Sequence, residues 1–317
     1  MATYPHEHLD HVLRRAIPEW EAHSILLARL DGGLTNHNYS ATVGPSRFFV
    51  RVGAAEANAL GIDRDQEHQA SQTAARLGVA PAVRYYVPEE RLMVLDYVPG
   101  RALTPEDFQE PLRIRQVADL LKRVHQSLPA LKPFSVFDVV HRYWHQVNGK
   151  DRALGERLKM ALTLADTIRA TIPGKPYGLC HNDLLAANFI WEAERDRLWL
   201  VDWEYAGLGS AYFDLGNFAA NQELSLEAET ELAALYFGVQ NLPTEVARIH
   251  LMRVMSNVRE ALWGFVQHLV SPLDYDFKAY GLRHWQRVEQ AVTGPAVDEA
   301  LKVLSSPRSP RGFSYNG

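Results

Sequence analysis

Five polar side chains that can carry out chemistry lie close together in the segment GLCHNDLLAANFIWEAERDRLWLVDWEYAG, which runs from Gly178 to Gly207. They are His181, Asp183, Asn188, Asp202 and Glu204. Carboxylates can accept or orient a proton, and carboxylate and amide oxygens are the ligands that a hard cation such as Mg²⁺ prefers. The segment is too short to be a domain, so we interpret it as an active site that the rest of the chain must support.

The spacing of Asp183 and Asn188 narrows this chemistry. A His followed by Asp-x4-Asn is the spacing that kinase-type phosphotransferases use, in which the Asp accepts or orients the substrate hydroxyl and the Asn oxygen holds Mg²⁺. Asp202 would supply the carboxylate that bridges metal ions and phosphates. Taken singly, Asp183 could cap a turn and Asp202 could end a strand, but their order and spacing together favour catalysis.

The local pattern predicts how these side chains are positioned. We expect a loop over 181–188, a strand over 189–192, a polar turn and a second strand over 198–203. An apolar two-stranded ribbon of this kind can bring Asp183 and Asp202 to one end, where polar groups are usually functional.

The chain before this segment begins with a pattern typical of strands. A short amphipathic helix over 5–16 precedes the runs SILLARL, NYSATV and RFFVRV, and glycine-containing turns between the runs predict an antiparallel meander. In RFFVRV, Val50 faces one side while Phe49 and Arg51 face the other. A helix from Asp63, with Gly78 at its C-terminal boundary, and the strands AVRYYV and RLMVLDYV complete a small β lobe that ends near residue 98.

Several residues of this lobe are candidates for nucleotide contacts. The turn DGGLTN, which ends at Asn36, could let backbone N–H groups approach phosphate, although Gly-Gly hairpins are common. Arg51 and Glu67 would form the ion pair that positions phosphates in kinases, and an Arg can fork onto phosphate oxygens. Backbone groups of Asp96 and Val98 could pair with adenine, or this stretch could be a strand that simply leads into a turn.

From Pro99 onward the chain is mainly helical, with one long polar helix expected over 151–171 and further helices from Asp214 to about residue 305. The last dozen residues resemble a flexible tail. In HLMRVMSNVREALWGFVQH, Trp263 falls off the apolar stripe of its helix, on the side of Arg259 and Gln267. It could pack on the helix predicted over 273–293, or its ring face could bind a cationic substrate.

Composition excludes several classes of protein. The 317 residues are 47% hydrophobic and 22% charged, which is ordinary for a globular protein, and the net charge of −5 gives no sign of a nucleic-acid surface. A single cysteine, Cys180, fits a reducing compartment. Because no apolar run approaches the roughly 18 residues of a membrane span and no signal peptide is visible, we expect a cytoplasmic protein without membrane insertion.

Several motifs of the chain are similar to those of a known family. HNDLLAANFIW and VDWEYAGLGSAYFDLGN, supported by GGLTN, VRVG, VLDYVPG and ALWGFVQ, resemble the choline/ethanolamine kinases within the aminoglycoside-phosphotransferase-like kinases. The resemblance implies an α+β, bilobal protein-kinase-like fold with a nucleotide-binding lobe over 1–98, a catalytic and substrate lobe over 99–305 and a tail over 306–317. It also implies phosphorylation of an amino-alcohol hydroxyl with ATP and Mg²⁺.

The resemblance further implies a role for each candidate residue. Asp183 would be the catalytic base, Asn188 and Asp202 the metal ligands and Arg51 a phosphate contact, while Glu204, Tyr205 and Trp263 would face the cationic head of the substrate. Two departures concern the substrate. Val266 stands where eukaryotic members carry a second Trp, and Asn221 stands where they carry a Glu, with Glu223 two residues further on.

These departures leave several functions open. Choline is the first expected acceptor, followed by ethanolamine, with thiamine or an aminoglycoside as alternatives inside the enzyme class. The basic and polar carboxyl terminus argues mildly against an aminoglycoside. The alternative outside this class is a catalytically silent nucleotide-binding module, which typically loses the base or a metal ligand, whereas this chain keeps all three.

Overall fold

The computed structural model describes residues 6–30, 36–53, 60–174 and 177–305. The glycine pair of the DGGLTN turn and the tail from residue 306 lie outside the described residues. The helices are α1 (His6–Ala16), α2 (Arg64–Arg76), α3 (Pro111–His125), α4 (Val136–Lys150), α5 (Arg152–Arg157), α6 (Met160–Arg169), α7 (Ala211–Asn221), α8 (Leu226–Phe237), α9 (Leu242–Val270), α10 (Phe277–Thr293) and α11 (Pro295–Ser305). The strands are β1 (Ile25–Leu30), β2 (Asn36–Val43), β3 (Ser46–Gly53), β4 (Val83–Val87), β5 (Leu92–Asp96), β6 (Arg101–Ala102), β7 (Tyr177–Cys180), β8 (Phe189–Glu192), β9 (Arg197–Leu200) and β10 (Gly207–Ser210).

The first sheet has five antiparallel strands in the order β1-β2-β3-β5-β4, which confirms the predicted meander and its two added strands. The alternation in β3 also holds. Val50 is buried in a core formed with α1 and Trp20, whereas Phe49 and Arg51 line a cavity on the opposite side of the sheet. The predicted ending of α2 is confirmed as well, since Gly78 follows the helix with a φ of +69°.

The segment around the candidate site contains a strand pairing beyond the predicted loop and two-stranded ribbon. Its two ends pair with each other, because β7 and β10 form an antiparallel ladder in which Cys180 lies opposite Gly207. β8 and β9 form the predicted hairpin, and β6 pairs with the other edge of β8. The predicted strand over 198–203 is wrong at its end: β9 stops at Leu200, because Asp202 adopts a left-handed backbone with φ +69° that cannot continue a strand.

The helical half differs from the sequence prediction in two places. The helix expected over 151–171 is two helices, α5 and α6, since backbone bonds from Leu158 to Gly155 and from Ala161 to Leu158 tighten the chain between them. Helix α4 was not predicted, although Ser135 caps it by accepting a hydrogen bond from the Asp138 amide.

Helices α7, α9 and α10 pack against one another beside the site. They approach closely where glycines face a neighbour: a Cβ at Gly216 of α7 would lie 2.6 Å from the Arg253 nitrogen of α9. A Cβ at Gly264 of α9 would lie 2.8 Å from the Gly281 nitrogen of α10. The predicted α+β class is therefore confirmed, and among the described residues none of the helices combines the length and apolar character needed to cross a membrane.

Candidate active site

Two adjoining cavities lie between the five-stranded sheet and the helical half. The first, of about 200 Å³, is a mostly apolar slot whose lining includes Phe49, Met93 and the backbone around Val98. The second, of about 560 Å³, is lined by polar and aromatic side chains that include Asp183 and Trp263. Arg51, Phe49, Asp202 and three apolar residues line both cavities, so Arg51 and Asp202 stand at their junction.

Arg51 forms the ion pair predicted with Glu67 and a second pair that was not predicted. Its Nη1 donates to Glu67 Oε1 at 2.8 Å and to Asp202 Oδ1 at 2.5 Å. Burial alone would lower the pKa of Arg51. The negative charges of Asp202 and Glu67 raise it by more, so the net shift is upward and the guanidinium stays charged. Burial likewise raises the pKa of Asp202, but the adjacent Arg51 charge outweighs it and the net shift is downward. The Nε of Arg51 is buried without a hydrogen-bond partner in the described part of the chain.

Glu204 belongs to a second charged cluster beside the first. Asn36 donates its Nδ2 to Glu204 Oε2 at 2.9 Å, and Arg64 lies 3.3 Å from the same oxygen while binding Glu67 at 2.6 Å. Burial, reinforced by the negative charge of Asp202, raises the pKa of Glu204 to about 7. Asn36 therefore connects β2 to the acidic segment, and in the part of the chain described here it does not line either cavity.

The loop that carries Asp183 is held by side chains from α7. Asp214, fully buried, accepts hydrogen bonds from the amides of His181 and Asn182 at 2.8 and 2.7 Å. Asn217, one helical turn further on, accepts from the Leu184 amide at 2.6 Å. Three backbone donors that flank Asp183 are thus satisfied from one helix, which helps to fix the loop.

Asp183 itself points into the larger cavity beside a charged pair from α9. Arg259 Nη1 lies 3.4 Å from Asp183 Oδ1 and donates to Glu260 Oε1 at 2.8 Å. Burial raises the pKa of Asp183 to about 8; Arg259 opposes this shift, and the negative charge of Glu260 adds to it. A carboxylate whose proton affinity is raised in this way is suited to accept a proton from a hydroxyl.

Asn188 and Asp202 offer oxygen ligands to a cation. The Asn188 side-chain amide donates its nitrogen to the Asp183 carbonyl at 2.8 Å, so its oxygen is the group left for a ligand. Both residues line the larger cavity with Asp183. In the described site, five carboxylates (Glu67, Asp183, Asp202, Glu204 and Glu260) meet three guanidinium groups (Arg51, Arg64 and Arg259). The excess of negative charge and the oxygen donors fit Mg²⁺.

Aromatic rings form one side of the larger cavity. Trp263 donates its Nε1 to the Tyr205 hydroxyl at 3.2 Å and makes edge contacts with Phe277 and Tyr280 of α10. The predicted packing of Trp263 on the next helix is confirmed. Trp263 also lines the cavity that contains Asp183 and Glu204, and the binding of a cationic substrate by its ring stays a prediction.

The residues expected to contact adenine line the smaller slot. The Asp96 amide already donates to the Ala82 carbonyl at 2.9 Å, so the backbone group of Asp96 that could pair with a base is its carbonyl. Its carboxylate is held outside the slot by two hydrogen bonds from Arg84. Among the described residues, the Val98 amide has no backbone partner, which leaves a donor two residues beyond that acceptor.

The sequence prediction missed Arg64, Arg259, Glu260 and Tyr280. A signal existed for two of them, because Arg259 and Glu260 are the only charged residues between Val254 and Val266 and lie on the side where Trp263 leaves the apolar stripe. Tyr280 donates to Glu260 Oε2 at 2.7 Å. Its proximity depends on how α10 packs on α9, which the sequence pattern does not define.

A β sheet beside a helical half, with a carboxylate-rich cleft between them, defines a phosphotransferase-like architecture. The match to the phosphotransferase enzyme family, designated APH, covers residues 27–247, more than half of the chain, and the chain belongs to this family. It is therefore a phosphotransferase.

Individual relatives and solved structures indicate which phosphotransferases this chain resembles. The chain is 28% identical to ethanolamine kinase 2 of Mus musculus over 304 residues, which cover 86% of this chain and 77% of the mouse protein. Its fold matches a choline/ethanolamine kinase family protein from Mesorhizobium loti at 26% identity, with a TM-score of 0.76 and 93% and 98% of the two chains covered. LicA in complex with AMP matches at 20% identity, with a TM-score of 0.71 and coverage of 93% and 99%. The bilobal protein-kinase-like fold is thereby confirmed.

Proposed function

We propose that this protein transfers the γ-phosphoryl group of ATP to the hydroxyl of a small cationic amino alcohol. The observation that carries the proposal is the larger cavity, in which Asp183 faces the same space as two buried glutamates and an aromatic wall. A hydroxyl beside Asp183 and an ammonium beside Glu204 and Trp263 are the two ends of such a substrate. The similarity to an ethanolamine kinase supports this choice.

The nucleotide is assigned to the smaller slot. Residues 1–98 would form the nucleotide-binding lobe and 99–305 the catalytic and substrate lobe. The Asp96 carbonyl and the Val98 amide would pair with adenine, and Arg51, held by Glu67, would direct its unpartnered Nε toward phosphate oxygens. Asn36 would act indirectly in this lobe, by holding Glu204 and Arg64.

Asp183 would accept the hydroxyl proton as the new oxygen–phosphorus bond forms and the bond between the γ-phosphorus and the bridging oxygen of ATP breaks, with ADP as the leaving group. Its loop is fixed by Asp214 and Asn217, so the carboxylate is oriented before the substrate binds. Asn188 and Asp202 would hold Mg²⁺. When bound, this ion neutralises charge on the transferring phosphoryl group.

We rank ethanolamine ahead of choline as the acceptor, which reverses the order expected from the sequence. A primary ammonium carries three N–H donors, and Glu204 and Glu260, whose carboxylate oxygens accept hydrogen bonds, line the cavity. A quaternary ammonium would remove water from these oxygens without donating to them. Thiamine and aminoglycosides are larger and remain the competing acceptors.

An acceptor screen tests the proposed function. We expect ATP turnover with ethanolamine, N-methylethanolamine and choline, with kcat/KM falling as methyl groups are added and at least about tenfold lower for thiamine or an aminoglycoside, because one missing polar contact costs about 1–3 kcal/mol. The measurement is phosphorylated product formed per ATP consumed. Highest turnover with an aminoglycoside, or nucleotide binding without transfer to any acceptor, would contradict the proposal.

Replacement of Trp263 tests the aromatic wall. We expect Trp263→Leu to raise KM for the amino alcohol about 3- to 30-fold, which corresponds to the 0.5–2 kcal/mol of a cation–π contact, while KM for ATP changes little. Steady-state kinetics with each substrate varied in turn provide the measurement.

Trp285→Leu is the matched control, because Trp285 is also buried on the α9–α10 side but bonds to Glu289 and lines neither cavity. It should lose comparable stability and leave the acceptor KM unchanged. Equal KM values for wild type and Trp263→Leu would remove Trp263 from the acceptor site.

A further inference from the structure

Arg259 is a buried cation in contact with Asp183, and 2% of its surface is exposed. Its Nη1 donates to the Asn182 carbonyl at 2.9 Å, approaches Asp183 Oδ1 at 3.4 Å and donates to Glu260 Oε1 at 2.8 Å. Glu260 in turn accepts from the Tyr280 hydroxyl at 2.7 Å. A chain of charge-assisted bonds therefore runs from α10 through α9 to the loop that carries Asp183.

The residue next to Asp183 is held by several contacts. Asn182 has a positive φ of 65°, a left-handed conformation that Asn adopts more readily than most L-residues. Its amide is bound by Asp214 and its side chain donates to the Tyr205 carbonyl. Arg259 binds the remaining backbone group, the carbonyl. The same guanidinium thus contacts both the Asn182 carbonyl and the carboxylate of the residue that follows it.

We propose that Arg259 is a positioning residue that fixes the Asp183 carboxylate for phosphoryl transfer by binding Asp183 Oδ1 and the Asn182 carbonyl together. With Oδ1 held by Arg259, the other carboxylate oxygen is the one presented to the substrate hydroxyl. Glu260 and Tyr280 orient Arg259 and touch Asp183 only through it. The inference rests on the proposed role of Asp183 as the proton acceptor.

Guanidinium rescue tests the role of Arg259. Arg259 borders the larger cavity on one side and a separate cavity of about 230 Å³ on the other, so Arg259→Ala would leave a space open to a small cation. We expect kcat to fall about 100-fold, the effect of a misplacement of about 1 Å, with KM for ATP little changed. Millimolar guanidinium should restore kcat several-fold, and Arg259→Lys should retain part of it, because an ammonium cannot reach all three acceptors.

The matched control is Arg253→Ala, on the same helix, whose guanidinium binds Glu229 and the Leu224 carbonyl away from both cavities. Guanidinium should not raise its kcat. All variants are assayed well below their Tm, and Arg259→Met, which keeps the packing of the aliphatic stem, is the second variant where truncation lowers Tm too far. An active wild type whose Arg259→Ala and Arg259→Met variants keep kcat would overturn this inference alone. A wild type that phosphorylates no amino alcohol would overturn the proposed function and, with it, this inference.

Discussion

Asp183→Asn is expected to lower kcat about 10²- to 10⁴-fold, the range for loss of a positioned general base. The carboxamide oxygen can still accept from Arg259, but the side chain can no longer take a proton at neutral pH. KM for ATP should change little, because Asp183 lines only the larger cavity. The measurement is initial-rate kinetics at saturating ATP and acceptor.

The same variant should be at least as stable as the wild type. Burial raises the pKa of Asp183, so the ionised carboxylate that the proposed reaction needs is the form that burial disfavours, and it opposes folding. A neutral Asn removes this penalty. An unchanged or higher Tm together with the loss of kcat would show that the Asp183 carboxylate does not stabilise the fold and is needed for activity.

Asp119→Asn serves as the control for Asp183→Asn, since Asp119 is a largely exposed carboxylate on α3. Its variant should match the wild type in both kcat and Tm. If Asp183→Asn kept more than about a tenth of wild-type kcat, the loss of rate would be smaller than the loss of a general base causes. The assignment of Asp183 as the base would then be wrong.

Asp202→Asn is expected to produce the second large loss, with a different signature. It removes a proposed metal ligand, so kcat should fall and the Mg²⁺ concentration for half-maximal activity should rise by at least about tenfold, as for other weakened metal sites. It also weakens the 2.5 Å bond from Arg51, which should lower the free energy of unfolding by about 1–3 kcal/mol. Mg²⁺ titration of the rate and thermal unfolding measure the two effects.

Asn is the substitution of choice at this position because Asp202 has a left-handed backbone, which Asn tolerates and Ala does not. Asp196→Asn is matched to it. Asp196 lies in the turn of the same β8–β9 hairpin, is exposed and has a similar φ of 47°. A rise in the Mg²⁺ requirement for both variants, or for neither, would remove Asp202 from the metal site.

The candidate site could be predicted in outline because its chemistry depends on residues that are close in sequence. Asp183, Asn188 and Asp202 fall on one loop and one hairpin, and turn residues with alternating apolar strands define such a hairpin locally. The ion pair of Arg51 and Glu67 was also accessible, since strand alternation places Arg51 on the cavity side of β3 and helix spacing places Glu67 toward it.

The supporting residues could not be assigned in the same way. Asp214 and Asn217 are polar residues three apart on an apolar helix, and the pattern shows that they need partners but not that these partners are the amides around Asp183. The break between α5 and α6 and the early end of β9 depend on single residues whose backbone conformation is set by tertiary contacts. Local propensity is a weak guide in such places.

By itself, the sequence determined the class of reaction, because a His, two Asp and an Asn at fixed spacing on a loop and hairpin need no distant partner to be recognised. The sequence also predicted the β meander and the ion pair of Arg51 with Glu67, because both depend on the local spacing of residues in strands and helices. Only the tertiary structure decided what surrounds Asp183. The close packing of α9 on α7 and α10 brings Arg259, Glu260, Trp263 and Tyr280 to that carboxylate, and the spacing of residues within one helix does not define which residues of a neighbouring helix it meets.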